Sequence, residues 1–368
     1  MQLRFRQRVA TAGVAGVAMA LTLAACSSSS TTTGTSSSTT SPAAGATTSS
    51  AALSGTLNGS GSTFQLTFQQ TAIQAFKSVQ SGMTVNYGGG GSGKGRTDLA
   101  SGVVQYAGSD STIPASEEAN FKGTVLYFPV VIGPITVSYN LSGLSKPLQL
   151  SAPVLASIFE GKVSNWDDGS IAADNPGVKL PSEPITIAVR SDSSGTTQNF
   201  SLFLQEAAGS AWTLGSSSTI KWPGTARAGN GNGGVAQIIK TTSGSIGYVD
   251  YADAKASGLT FASIKNKDGD YVAPSTQSAT AAVDNTTVAP NLTFHAVWAP
   301  GATSYPITYQ SWVLVYQQQP NANTAKLLQA WVGYLIGDGQ KMLPDLNYAP
   351  LPSSLQSMAE AQLSKITG

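Results

Sequence analysis

Ile185-Thr186-Ile187-Ala188-Val189-Arg190-Ser191-Asp192-Ser193-Ser194-Gly195-Thr196 joins an alternating apolar run to a charged turn. Ile185, Ile187 and Val189 point to one face and polar or small residues to the other, so the run reads as a half-buried strand. Downstream, Phe200, Leu202, Phe203 and Leu204 supply a helical apolar face. Ser194, Gly195 and Thr196 then fall at a helix N-terminus, where unpaired N–H groups and the helix dipole attract anions. Arg190 adds a planar donor fork suited to phosphate or carboxylate, and Asp192 is placed to hold that fork. The competing reading is a capped helix beside a surface ion pair.

The amino end reads as an export signal. Arg4, Arg6 and Arg8 precede the short apolar run 9–24, and Leu21-Thr22-Leu23-Ala24-Ala25-Cys26 closes it. The run is too short to span a bilayer and ends in small residues, as cleaved signals do. Leu-x-Ala-Ala-Cys resembles the bacterial lipobox, which implies cleavage after residue 25, lipidation of Cys26 and attachment to the outer face of the cell membrane. Cys26 is the single cysteine, so a lipidated chain keeps no thiol for catalysis, zinc or a disulfide. Residues 26–52 are nearly all Ser, Thr, Ala, Gly and Pro and read as a disordered tether.

The remaining residues, 53–368, suffice for two lobes. Net charge is +1 and only 11% of residues are charged, against about 25% in a typical globular protein. Without basic clusters, nucleic acid is not an expected partner. His295 is the single histidine. Triads need a base and metal sites recruit several imidazoles, so neither an enzyme nor a metal or cofactor is expected.

Three further stretches suit an anion. Gly59-Ser60-Gly61-Ser62-Thr63-Phe64 precedes Phe64, Phe68, Ala72 and Phe76 on one helix face. Ser62 or Thr63 is its candidate N-cap. Val85-Asn86-Tyr87-Gly88-Gly89-Gly90-Gly91-Ser92-Gly93-Lys94-Gly95 nearly matches a P-loop, but Gly95 stands where Ser or Thr must hold magnesium. It reads as a simple anion cradle in which Ser92 donates its hydroxyl. Tyr106-Ala107-Gly108-Ser109-Asp110-Ser111 puts a carboxylate at a strand end. An acid suits an anion site only if the anion carries a proton. Phosphate near neutral pH does; sulfate does not, and a buried acceptor facing it stays unpaired. Alternatively, Asp110 caps the next turn, near Pro114 and Glu117.

These four stretches, in this order, resemble the substrate-binding protein of the bacterial high-affinity phosphate ABC transporter. The likeness continues through Phe128-Pro129-Val130-Val131-Ile132-Gly133, Ile158 to Asp168, Asn175 to Pro181, Lys221-Trp222-Pro223, Gly231 to Ala236, Gly247 to Ala252 and Tyr305-Pro306-Ile307-Thr308. The resemblance implies an α/β, two-lobed periplasmic-binding-protein fold (type II) with two crossover strands and an anion site in the interlobe cleft. Residues 53–132 and 254–368 would form lobe I and 133–253 lobe II, with crossings near Val131–Pro134 and Tyr251–Ala254. Carried over by motif, Thr63, Phe64, Ser92 and Asp110 from one lobe and Arg190, Ser194, Gly195 and Thr196 from the other bind phosphate. Asp192 orients Arg190. The function implied is an extracytoplasmic, monomeric receptor that delivers inorganic phosphate to permease subunits, without turnover. Other readings are a receptor for another protonated oxyanion (arsenate or a phosphonate), a secreted phosphatase, or a surface sensor. Two departures stand out. The first loop continues with Gln65-Leu66-Thr67, where relatives commonly carry a proline, and Lys94 and Arg96 bring charge close to the second loop.

Overall fold

The computed structural model describes residues 53–368. The expected signal, Cys26 and the tether lie outside the described residues. From its start the chain runs β1 (Gly55–Gly61), α1 (Leu66–Val79), β2 (Met83–Gly88), α2 (Ser92–Ala100), β3 (Tyr106–Ser109) and α3 (Ala115–Glu118). The long β4 (Val125–Asn140) follows, then β5 (Gln149–Leu150), α4 (Ala152–Phe159), α5 (Gly169–Asp174), β6 (Thr186–Arg190) and α6 (Gly195–Ala207). Next come β7 (Arg227–Gly229), α7 (Gly231–Thr241), β8 (Ser245–Asp250), α8 (Tyr251–Ser257), β9 (Thr260–Phe261), β10 (Ser263–Lys265), β11 (Tyr271–Val272) and α9 (Thr276–Asp284). The strand β12 (Thr308–Tyr316) and helices α10 (Ala322–Ile336) and α11 (Ser353–Gln362) complete the regular elements used below.

The large sheet has the order β2-β1-β3-β12-β4-β8-β6-β7. β1 lies parallel to β2 and β3, and β6 parallel to β7 and β8. β4 belongs to both halves. Val125–Pro134 pairs antiparallel with β12, and from Ile135 onward the partner is β8, beginning with Ile135 opposite Asp250. The result is a two-lobed α/β architecture built on one shared strand. Its burial is almost continuous along β4, as expected of a strand covered on both faces.

Beyond Asp250 the chain stays beside the second half. β9 pairs with Ser138 and Tyr139 of β4, and β10 pairs with β5. The pairing therefore does not change sides near Tyr251–Ala254, where the sequence suggested a crossing.

The strand leading to Arg190 differs from expectation in one respect. Ile187 and Val189 are buried as the alternation predicts, but Ala188 on the opposite face is fully buried too. It packs with Val235, Ala236 and Ile239 of α7. A parallel strand flanked by helices has no solvent face, so small residues on its second face mark close helix packing rather than exposure. The other expected helix face, Phe200, Phe203 and Leu204, is buried in the main core.

Helix α1 buries Phe68, Ala72 and Phe76 at four-residue spacing, and Phe76 meets Trp331 of α10 edge-on at 5.1 Å. Phe68→Ala would cost about 3–5 kcal/mol through the cavity it leaves. The helix starts later than the sequence suggested: its N-cap is Gln65, without a side-chain cap bond. Ser62 and Thr63 do not cap it because both hydroxyls are engaged elsewhere, as the site shows.

Candidate anion site

The carboxyl ends of the parallel strands converge on one crevice, the place where open α/β sheets hold ligands. β1 delivers the Ser62–Phe64 loop, β3 delivers Asp110, and β6 delivers Arg190. Helices α2, α6 and α7 start there at Ser92, Gly195 and Gly231. Their N-termini add positive potential there.

Arg190 is nearly fully buried and makes a two-pronged pair with Asp192, Nε to Oδ1 at 2.8 Å and Nη2 to Oδ2 at 2.5 Å. Its Nη1 donates to Thr196 Oγ1 at 3.2 Å and Asn232 Oδ1 at 3.1 Å. Asp192 also accepts the Gly231 N–H at 3.0 Å, which ties the fork to the start of α7. Burial pushes the Asp192 carboxyl up, but the Arg190 hydrogen bonds and charge outweigh it and hold it below the usual range. Burial likewise opposes charge on Arg190, and Asp192 more than restores it. The pair is locked in its charged form. Ser194 caps α6 by accepting the Thr197 N–H at 3.1 Å, so the strand–turn–helix read from the sequence is present residue for residue.

Asp110 sits on the opposite wall, 2% exposed. It does not cap α3, whose N-cap is Pro114. Its backbone N–H donates to Ser92 Oγ at 3.1 Å, and Ser92 Oγ donates to its Oδ2 at 3.2 Å. Ser311 Oγ donates to Oδ1. Burial raises the Asp110 carboxyl above the ordinary value, while hydroxyls of Ser311, Ser62 and Ser92 and the charge of Arg190 pull it back.

The first loop is anchored by its aromatic residue. Phe64 is buried, stacks on Tyr309 at 4.1 Å between centroids, and its carbonyl accepts the Tyr348 hydroxyl at 2.7 Å. Its N–H donates to Ser62 Oγ at 3.0 Å. Thr63 Oγ1 accepts the Asn232 N–H at 3.3 Å from across the crevice. These bonds remove Ser62 and Thr63 from capping duty.

The two walls touch. Gly93 N donates to Ser193 O at 3.0 Å, and Asn199 Nδ2 to Asp110 O at 2.7 Å. Two glycines make the approach possible. A Cβ on Gly195 would lie 2.4 Å from Ser92 Oγ and 2.6 Å from Asp110 Cβ. Gly91 has φ of 91°, and a Cβ there would lie 2.3 Å from Asp192 Oδ2.

Thr63, Phe64, Ser92, Asp110, Arg190, Asp192, Ser194, Gly195 and Thr196 thus lie in one cluster. Lys94 and Arg96 do not join it: Lys94 pairs with Asp98 at 2.6 Å. Arg96 binds Glu117 through two nitrogens and reaches the Ser111 hydroxyl at 3.0 Å. Each of these charges is neutralised locally. His295 is exposed on the loop before β12. Among the described residues no group of His, Cys, Asp and Glu is arranged to hold a metal.

Sequence reasoning missed Asn232, Asn199 and Ser311. Asn232 lies within the noted Gly231-Asn232-Gly233-Gly234 run. Its Nδ2 is buried without a hydrogen-bond partner among the described residues, a donor aimed within the Arg190 cluster. Ser311 closes the polar first half of β12, after Thr308 and Gln310 and before the apolar run from Trp312, and nothing in that pattern singles it out.

The profile of the PBP superfamily domain matches residues 46–338, so the chain belongs to that superfamily. Within it, the chain belongs with the phosphate-binding proteins named PstS. It is 35% identical over 315 residues to "Phosphate-binding protein PstS 3" of Mycobacterium leprae, covering 82% of this chain and 84% of the relative. It is 34% identical to "Phosphate-binding protein PstS" of Xylella fastidiosa, over 83% of this chain and 84% of that one. Among solved structures, a high-affinity periplasmic phosphate-binding protein (PfluDING), bound with phosphate, superposes with a TM-score of 0.70. It is 22% identical and covers 84% of this chain and 94% of its own. A phosphate-binding protein from Stenotrophomonas maltophilia gives a TM-score of 0.64 at 19% identity, over 83% and 93% of the two chains. These likenesses establish the shared two-lobed fold.

Proposed function

We propose that this protein is an extracytoplasmic receptor for inorganic phosphate that hands its ligand to an ABC permease and catalyses no reaction. The observation that carries the reading is the pairing of a locked cation, Arg190, with a buried acid, Asp110, on facing walls of one crevice. A crevice meant for any anion needs only the first. The second has a use only when the anion brings a proton to donate.

In this reading Arg190 donates its remaining Nη2 N–H to a phosphate oxygen, while Asp192 keeps it oriented and partly neutralised. The N–H groups of Gly195 and Thr196, the hydroxyls of Ser194 and Thr196, and Ser92 donate to the remaining oxygens. The ligand takes over the Phe64 N–H from Ser62 Oγ, and Thr63 adds its hydroxyl. Asp110 accepts the phosphate proton, and the unpartnered Asn232 amide supplies a donor absent from the sequence-based set. Closing the walls excludes water and strengthens each bond. The division into lobes belongs to the same proposal, with residues 254–272 travelling with the second lobe because β9 and β10 pair there. Anchoring through a lipid on Cys26, and action as a monomer beside the permease subunits, complete it.

The test is calorimetric titration of phosphate and sulfate into protein stripped of bound phosphate. Tight one-to-one phosphate binding with sulfate silent is expected. Binding of neither would sink the reading. Equal affinity for both would remove Asp110 from its role. Release of phosphate from a simple ester would show an enzyme instead.

A further inference from the structure

Behind Asp110, away from Arg190, lies a chain of buried polar side chains that the binding site itself does not require. Gln69, Gln65 and Ser311 are all fully buried. Gln69 Nε2 donates to Gln65 Oε1 at 2.7 Å, and Gln65 Nε2 donates to Ser311 Oγ at 2.7 Å and to the Trp312 carbonyl at 3.1 Å. Ser311 Oγ then reaches Asp110 Oδ1 at 2.5 Å. Burying two amides in an apolar core is costly unless the bonds serve something.

We propose that Gln65, acting through Ser311, is a specificity-determining positioning residue that fixes Asp110 as a proton acceptor and so sharpens discrimination between protonated and unprotonated oxyanions. This rests on Asp110 facing the ligand, as proposed above.

The direction of the relay follows from donor and acceptor inventory. The Trp312 carbonyl can only accept, so the Gln65 nitrogen must face it, and the same nitrogen faces Ser311. Ser311 Oγ therefore accepts from Gln65, and its own proton is free for one other partner. The Ser109 carbonyl is 3.4 Å away, longer than a good O–H···O bond, whereas Asp110 Oδ1 is close. The hydroxyl proton points at Asp110. With Oδ1 taken by a donor, a proton on Asp110 has room only at Oδ2, the oxygen held more loosely by Ser92. That oxygen is left to accept a proton from phosphate or arsenate. Sulfate offers it only lone pairs.

In the pairing of β12 with β4, Ser311 lies opposite Val131 while Trp312 lies opposite Pro129, so the extra residue is Val130 of β4. Its carbonyl accepts the Gln340 amide at 2.9 Å, and β12 itself runs regularly past Ser311 and Trp312. Proline at position 65 would carry no side-chain donor. The other ionisable groups acting on Asp110 are the Arg190 guanidinium, the Tyr87, Tyr309 and Tyr348 phenols and the Asp250 carboxyl. All remain in the variants below.

Sulfate can bind only when Asp110 itself carries a proton to donate, so the onset of sulfate binding on acidification reads the state of Asp110. The experiment measures phosphate and sulfate affinity from pH 4.5 to 8.5 for the wild type, Ser311→Ala, the nearly isosteric Gln65→Met, and Asp110→Asn, each checked for cooperative melting. In Ser311→Ala the sulfate onset should move up by about one pH unit. In Gln65→Met it should move the same way by less, because the hydroxyl persists but loses its fixed direction. No displacement in either folded variant would overturn the proposal. Displacement in Ser311→Ala alone would overturn the role of Gln65. Failure of the wild type to bind phosphate, or a pH-dependent sulfate onset persisting in Asp110→Asn, would instead dispose of the site reading beneath it.

Discussion

The two walls of the crevice solve different problems. The Arg190 wall carries charge: a guanidinium gripped by Asp192 and backed by the starts of α6 and α7. The Asp110 wall carries almost none to spare. It holds hydroxyls and backbone donors around one buried acid. In the proposed reading the first wall alone would hold any tetrahedral anion, and the second makes the choice among them. The difference teaches that affinity and selectivity are separable here, and substitutions should separate them.

The largest effect is expected on the charged wall. Arg190→Ala removes the fixed cation and leaves Asp192 buried without its partner. Phosphate affinity should fall by about 3–5 kcal/mol, with phosphate and sulfate affected alike. Near-wild-type affinity by calorimetry would mean the charge lies elsewhere. On the other wall, Asp110→Asn should narrow the phosphate-over-sulfate preference by about a hundredfold. The amide can donate to sulfate, and total anion affinity changes less. Unchanged selectivity would erase the contrast between the walls.

A third change tests their contact. Gly195→Ala puts a methyl group against Ser92 Oγ and Asp110 Cβ. It should weaken phosphate binding by about 1–3 kcal/mol through a poorly closed crevice, while a melting curve without ligand stays close to wild type. A large loss of unliganded stability with intact affinity would contradict this.

The last effect belongs to the junction between the halves, is no larger than that of Gly195→Ala and vanishes at acid pH. Asp250 is fully buried opposite Ile135, where β4 changes partner. Burial, with the Asp253 carboxyl beside it, holds its carboxyl well above the ordinary range. Unfolded, the group ionises near pH 4, at about 3.9; folded, it keeps its proton to higher pH. Below about pH 4 both states are protonated and the group is neutral in its effect. As pH rises past that value the unfolded state alone ionises and stability falls. Asp250→Asn keeps an N-cap for α8 and removes this dependence. Its gain over the wild type should be near zero at pH 4 and grow to about 1–3 kcal/mol by pH 7, read as a difference in melting temperature. A constant difference across that range would exclude Asp250 as the source.

Much of the site was legible because its parts are local. Arg190, Asp192 and Ser194 to Thr196 sit within one strand–turn–helix, and propensity, capping and charge all point the same way over that short stretch. The glycine loop ending at Ser92 and the strand end at Asp110 are likewise local signals. The helix start after Phe64 was misplaced because Ser62 holds the Phe64 N–H within the loop, and Thr63 takes the Asn232 N–H across the crevice, a partner that the sequence does not put nearby. The charges of Lys94 and Arg96 looked close to the site on paper. Asp98 and Glu117 turn out to hold them.

Sequence alone carried the family likeness, which implied the α/β class, and marked residue types suited to an anion, since turn chemistry and strand-end motifs act over a few neighbouring residues. Only the tertiary structure decided which partners the hydroxyls of the candidate site meet within the protein. Asp110 depends on Ser311, which lies 201 residues away, and Thr63 on Asn232, 169 residues away. A hydrogen bond is fixed by distance and direction in space, and separations of that size along the chain carry no local pattern from which either is readable.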